Sequence, residues 1–170
     1  MKTDIIELNE DLMKEFDVEE FIFDMIKKCY HMEYVPQYHY DIINLEDYYV
    51  TPKKNTLFVA IDTDKRKIIA TAAVREYDKD YHIKGKHYTP QTTASIYRVF
   101  VHPDYRRSKL ATKMVKKIEE FCIREGYHEI YLHTQKDSIG ALPFWLNNNY
   151  EITEVTNDSF GTIHMEKCLI

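Results

Sequence analysis

The chain has few of the residues that punctuate or cross-link a fold. Only four of its 170 residues are glycine and three are cysteine. Cys29, Cys122 and Cys168 show no CxxC spacing. An odd number of scattered thiols argues against a disulfide framework and suits a reducing compartment, so the chain is read as cytoplasmic. No apolar run approaches the roughly 18 residues of a membrane helix. The start, Met1-Lys2-Thr3-Asp4, leads into alternating acids, not into an apolar leader. Basic charge is also short. With 23 Lys and Arg against 28 Asp and Glu, the net charge of -5 counts against nonspecific nucleic-acid binding. Repeats and low-complexity tracts are missing. The eight histidines form no tight ligand motif, and His82 and His87 read as solvated turn residues, so no metal is expected.

What is present is enough apolar residue, 44%, for one substantial core, and the length favours a single domain over 1–170. Asp17-Val-Glu-Glu20 reads as a capping box. Val18, Phe21, Ile22, Met25, Ile26 and Cys29 follow at helical spacing, which predicts a helix over about 17–32. The tyrosine-rich stretch 30–50 is either irregular or a second short helix. Residues 56–62 and 67–77 predict a hairpin, and 92–101 a third strand broken by Pro103. An amphipathic helix follows, with Leu110, Ala111, Met114, Val115, Ile118, Phe121 and Cys122 on one face and Gly126 as its stop. Then come a strand at 129–134, a short helix at 138–148, and closing strands at 150–155 and 162–167. The order predicts an α/β or α+β fold with a mixed sheet, in which 92–134 forms a right-handed crossover between parallel strands.

The junction His102-Pro-Asp-Tyr-Arg-Arg-Ser-Lys-Leu-Ala-Thr-Lys113 places two arginines and a lysine where a helix begins. A helix start presents backbone N–H groups and a positive dipole to an anion. The loop nevertheless has none of the glycines common in phosphate loops.

Strand, Val101-His-Pro-Asp-Tyr105, basic loop, amphipathic helix, strand and Ala141-Leu-Pro-Phe-Trp-Leu-Asn-Asn-Asn-Tyr150 together resemble the GNAT superfamily of acetyl-CoA-dependent N-acetyltransferases. The resemblance implies a mostly antiparallel sheet with one parallel pair splayed at the cofactor site, and helices on both faces. It also implies an acyltransferase that moves an acetyl group from acetyl-CoA to a primary amine by direct attack in a ternary complex, without metal. The alternative is a catalytically weak acyl-CoA-binding sensor of the same fold. A homodimer is a further expectation, and neither membrane nor nucleic acid is a partner.

By the same resemblance, Arg106-Arg107-Ser108-Lys109-Leu110-Ala111 stands where the family has Arg/Gln-x-x-Gly-x-Gly/Ala, with Lys109 at the central glycine. Lysine costs little there if its dihedrals are helical, and the helical case is expected; positive φ would add about 1–2 kcal/mol of strain. The main chain of Phe100 and Val101 would hold the acetyl carbonyl and pantetheine arm.

The general base has no obvious owner. The family position falls on Ser95 or Tyr97, and neither is a natural base at neutral pH. Period-two alternation would set Ser95, Tyr97 and Val99 on one face and Arg98 and Phe100 on the other. Glu76 and His133 are substitutes, each with a bland reading as an ordinary strand residue. The family's acidic tyrosine is replaced by Trp145, which is either a pocket wall or core, and Trp145→Tyr would be expected to raise turnover. Ser138 could cap the short helix. Tyr30, Glu33 and Tyr34 combine aromatics with a carboxylate and suit a cationic amine, a small molecule or a peptide N-terminus.

Overall fold

The computed structural model describes residues 2–170. Seven strands form one sheet in the order β1-β2-β3-β4-β5-β7-β6. β2 (Thr56–Asp62) and β3 (Lys67–Glu76) are the predicted hairpin, antiparallel with Leu57 opposite Ala73. β2 is buried at every position and β3 at all but its ends, as an uninterrupted apolar run in mid-sheet requires. β4 (Thr93–Val101) is parallel to β5 (Glu129–Gln135), Thr93 with Glu129 through Ser95 with Tyr131. Both strands continue beyond that register. β7 (Thr162–Cys168) is antiparallel on β5, with His133 opposite His164, and β6 (Glu151–Val155) is antiparallel on β7.

Two elements escaped the pattern reading. β1 (Thr3–Glu7) lies antiparallel on β2, and α1 (Glu10–Glu15) follows it, its Leu12 N–H capped by the Asn9 side chain at 2.8 Å. Five and six residues are too few for either period to show. The tyrosine-rich stretch resolves into α3 (Pro36–Ile43), with Pro36 in its first turn, and a wide turn at Glu46–Val50. α2 (Val18–Tyr30) begins as expected, with Asp17 Oδ1 accepting the Glu20 N–H at 2.9 Å, and ends at His31 in left-handed conformation. α4 (Leu110–Arg124) buries Met114, Val115, Ile118, Phe121 and Cys122, the predicted face. α5 (Ala141–Asn147) is shorter than predicted.

The chain divides into two compact units. The first comprises the chain up to Arg75 with Tyr97–Ile118. Its core joins Ile22, Met25 and Ile26 of α2 to Leu57, Val59, Ala73 and Phe100 of the sheet and Ile42 of α3. The second comprises Glu76–Ile96 and Glu119–Ile170. There Tyr77, Ile83 and Tyr88 lie against buried Tyr131. Lys86 Nζ and Tyr88 Oη both bond Glu166 of β7, at 2.8 and 2.6 Å. No described helix is long and apolar enough to cross a membrane.

Candidate active site

In the first unit the basic loop enters α4 through an unusual backbone. Arg107 and Lys109 have φ of 68° and 61°, the left-handed region. The helical conformation expected for Lys109 is therefore not adopted. The chain uses at 109 the conformation that glycine favours, at a strain of about 1–2 kcal/mol for a residue with Cβ. The Ser108 hydroxyl donates to the Tyr105 carbonyl at 2.6 Å, and the Lys113 N–H reaches back to the Lys109 carbonyl. The N–H groups of Leu110, Ala111 and Thr112 lie in the first turn and have no intrahelical acceptor. Arg106, Arg107, Ser108 and Lys109 are all exposed. Arg106 turns back toward β4, its Nε 3.3 Å from the Val101 carbonyl and its Nη2 3.7 Å from Cys29 Sγ.

β4 is interrupted one turn earlier. Arg98 has φ of 55°. That single left-handed residue breaks the period-two alternation, so Tyr97 and Phe100 pack on the same apolar cluster instead of opposite faces. The break is held from two sides: the Thr71 hydroxyl donates to the Arg98 carbonyl at 2.9 Å, and the Arg98 guanidinium donates to Asp41 and to the Tyr38 carbonyl. Asp41 also receives the Tyr49 hydroxyl at 2.5 Å and lies 3.3 Å from Arg75. Burial alone would raise the Asp41 carboxyl, but the Arg98 hydrogen bonds and charge, Tyr49 and Arg75 outweigh it and hold the group below its ordinary value. Asp41 is thus engaged inside the protein and is not offered to an incoming ammonium. The Arg75 guanidinium carbon stands 4.0 Å over the Tyr97 ring, which makes Tyr97 a packed aromatic platform.

The three acceptor candidates separate. Tyr30, at the end of α2, is half exposed and meets Phe100 edge-on at 6.1 Å. Glu33 and Tyr34 instead line a groove of about 720 Å³ together with Phe21, Asp24 and Lys27 of α2. Glu33 pairs with Lys27 at 3.4 Å, and Tyr34 packs edge-on against Phe23. His39 is buried behind them, its Nδ1 accepting the Val35 N–H at 2.9 Å; burial first, then the Arg98 charge, pulls its pKa down against the opposing Asp41.

In the second unit His133 is exposed on β5. Beside it lies a buried pair, Tyr131 and His164, hydrogen-bonded at 2.6 Å between Oη and Nδ1. Burial pulls the His164 pKa down, more than Glu154 and Asp158 raise it. The half-exposed Tyr81 ring covers both histidines, 5.0 Å from His164 and 6.0 Å from His133. Ser95, paired in register with Tyr131, is buried with no hydrogen-bond partner for its hydroxyl. Strand alternation sends Glu76 to the face opposite Arg75 and Tyr77, and so away from the Tyr77–Tyr131 cluster. Trp145 is core: it is 7% exposed and packs edge-on against Phe144 and Tyr150 at 4.9 and 5.1 Å. Ser138 does not cap α5; Gly140, at φ 80°, occupies the cap and supplies no side chain.

Among the described residues no cluster of His, Cys, Asp and Glu could hold a metal ion. A model of the acetyltransferase (GNAT) family matches residues 19–150. The chain belongs to the GNAT acetyltransferase family. The GNAT match runs from α2 to the start of β6 and takes in the loop before α4. Solved structures share the GNAT fold over nearly the whole chain. An acetyltransferase of the GNAT family from Staphylococcus aureus Mu50 is 20% identical at a TM-score of 0.75, covering 99% of this chain and 100% of that one. An acetyltransferase from Streptococcus agalactiae 2603 is 17% identical at 0.74, covering 98% of each. The PaiA N-acetyltransferase from Thermoplasma acidophilum, solved in complex with coenzyme A, is 16% identical at 0.69, covering 99% of each. No curated protein matches the chain.

Proposed function

We propose that this GNAT protein transfers the acetyl group of acetyl-CoA to a primary amine by direct attack in a ternary complex. The observation that carries the reading is the turn ahead of α4. Left-handed residues at 107 and 109 lead into a helical turn whose N–H groups have no intrahelical acceptor, with Arg106 close by in sequence, and such a turn can present donors to an anion. The helix dipole favours an anion at the same end. A pyrophosphate supplies the charge and the acceptor oxygens such a cradle takes, so these residues fit coenzyme A, and a neighbour of the same fold was solved with coenzyme A bound.

Bound acetyl-CoA would supply a thioester carbonyl open to attack by a neutral amine. The chain's part is to hold that carbonyl, orient the amine and remove its proton. The main chain of Phe100 and Val101 is assigned to the carbonyl and the pantetheine arm. Tyr97, at the family's base position, lies under Arg75, and His133 is the exposed base candidate of the second unit. Tyr30, half exposed and edge-on to Phe100, suits a cationic acceptor through its aromatic face. Trp145 supplies no acid, so the thiolate takes its proton from water. That feature favours the second reading, a coenzyme-binding sensor with little turnover.

The test is calorimetric titration with acetyl-CoA, with ATP as control, followed by thiol release across a panel of amines. Selective binding that weakens about tenfold in Arg106→Ala supports the cradle, since a charge-assisted hydrogen bond contributes about 1.5–3 kcal/mol. Binding without thiol release would favour the sensor. No selective binding would sink both.

A further inference from the structure

The loop before α4 contains no glycine, yet two of its residues hold a backbone that glycine holds most easily. The surrounding structure has to impose that conformation. One chain of contacts is placed to do so. Asp62, at the end of β2, accepts the N–H groups of Asp64 and Lys65 on Oδ1, at 3.1 and 3.2 Å, which closes the β2–β3 turn. Its Oδ2 accepts the Tyr105 hydroxyl at 2.5 Å, with both side chains buried. Lys67 Nζ stands 5.3 Å from the centre of the Tyr105 ring, and His102 packs against its edge. The Tyr105 carbonyl, at the other end of the same residue, accepts the Ser108 hydroxyl at 2.6 Å. Ser108 lies between the two left-handed residues.

We infer that Asp62, Tyr105 and Ser108 form a brace that stands in for the missing glycines and keeps the N–H groups of residues 107–111 turned toward a phosphate ligand. The brace rests on the coenzyme site proposed above. It touches no ligand, so its members are positioning residues. Tyr105 fixes the loop to the rigid hairpin turn, and Ser108 pulls the next turn of chain back over Tyr105. With the brace cut, residues 107 and 109 relax toward ordinary backbone and the donors diverge. Glycine at 109 makes the brace unnecessary, because glycine takes the left-handed form without a Cβ penalty.

The experiment measures coenzyme A affinity by calorimetry in the wild type, Tyr105→Phe, Asp62→Asn, and each of these combined with Lys109→Gly. Asn at 62 keeps an oxygen for the turn N–H groups and loses the carboxylate that holds Tyr105, so the two variants cut one bond in different ways. Each is expected to weaken coenzyme A about tenfold, with most of the loss restored by Lys109→Gly. Denaturant unfolding of each variant separates the two effects: a merely destabilising substitution lowers the unfolding midpoint and leaves the affinity of the folded protein unchanged. Wild-type affinity in both variants overturns the brace, and so does weakening that Lys109→Gly leaves unrepaired. A wild type that does not bind coenzyme A overturns the parent reading, and with it any binding role for the brace.

Discussion

Arg98 of β4 meets Asp41 of α3 through two hydrogen bonds, 2.7 Å from Nη2 to Oδ1 and 3.2 Å from Nε to Oδ2. The pair ties the helix to a strand residue whose backbone is left-handed. Tyr49 and Arg75 complete the group around the same carboxylate. Removing one partner of a buried pair leaves the other charged and desolvated, which costs about 3–5 kcal/mol. Asp41→Asn is therefore expected to lose about that much in denaturant unfolding. A change within 1 kcal/mol, about the worth of a surface pair, would show that the network is solvated.

At 109 the sign is reversed. Lys109→Gly removes about 1–2 kcal/mol of left-handed strain and adds about 0.5–1 kcal/mol of unfolded-chain entropy. Net stabilisation of up to about 1 kcal/mol is expected, again by denaturant unfolding. A destabilised variant would mean that the lysine side chain makes contacts that outweigh the strain.

Trp145→Tyr changes its meaning once Trp145 is seen packed between Phe144 and Tyr150. A smaller ring leaves a cavity and buries a hydroxyl, a loss of about 1–3 kcal/mol. The expected result is a lowered melting temperature with no gain in thiol release. A faster enzyme at unchanged stability would restore the acid reading drawn from the resemblance.

Stability should depend on pH near the histidine range. His39 and His164 are both held below the ordinary 6.5 mainly by burial. The unfolded chain therefore binds these protons first as pH falls. Their contribution is complete above pH 6.5 and is lost as pH drops toward the lowered folded values. Asp41 and Asp158, held below 3.8, add a further loss only under stronger acid. Unfolding midpoints measured through this range are expected to fall on the acid side of 6.5, less steeply in His164→Gln. A flat profile, or an unchanged slope in the variant, would contradict this.

How legible the molecule was in its sequence follows from distance along the chain. The hairpin, α2 with its Asp17 cap, the apolar face of α4 and the later strands rest on periods and caps set by neighbouring residues, and all are found where the pattern places them. β1 and α1 were too short to carry a period. The residues of the basic loop were identified by type and order, because Arg106 to Lys109 sit at a strand-to-helix junction that local sequence defines. Their backbone was not legible. Local sterics argue against left-handed arginine and lysine, and only contacts from residues far away in sequence, Asp62 to Tyr105 across 43 positions, hold that loop. The same reason hid the Asp41–Arg98 pair, 57 residues apart, and the Tyr131–His164 bond, 33 apart. It also decided between open alternatives, by burying Trp145 and leaving His133 exposed. Sequence by itself determined which chemical groups are present and which elements carry them. Tertiary structure decided which of those groups are buried, paired or strained, since desolvation and long-range hydrogen bonds exist only once the chain has closed on itself.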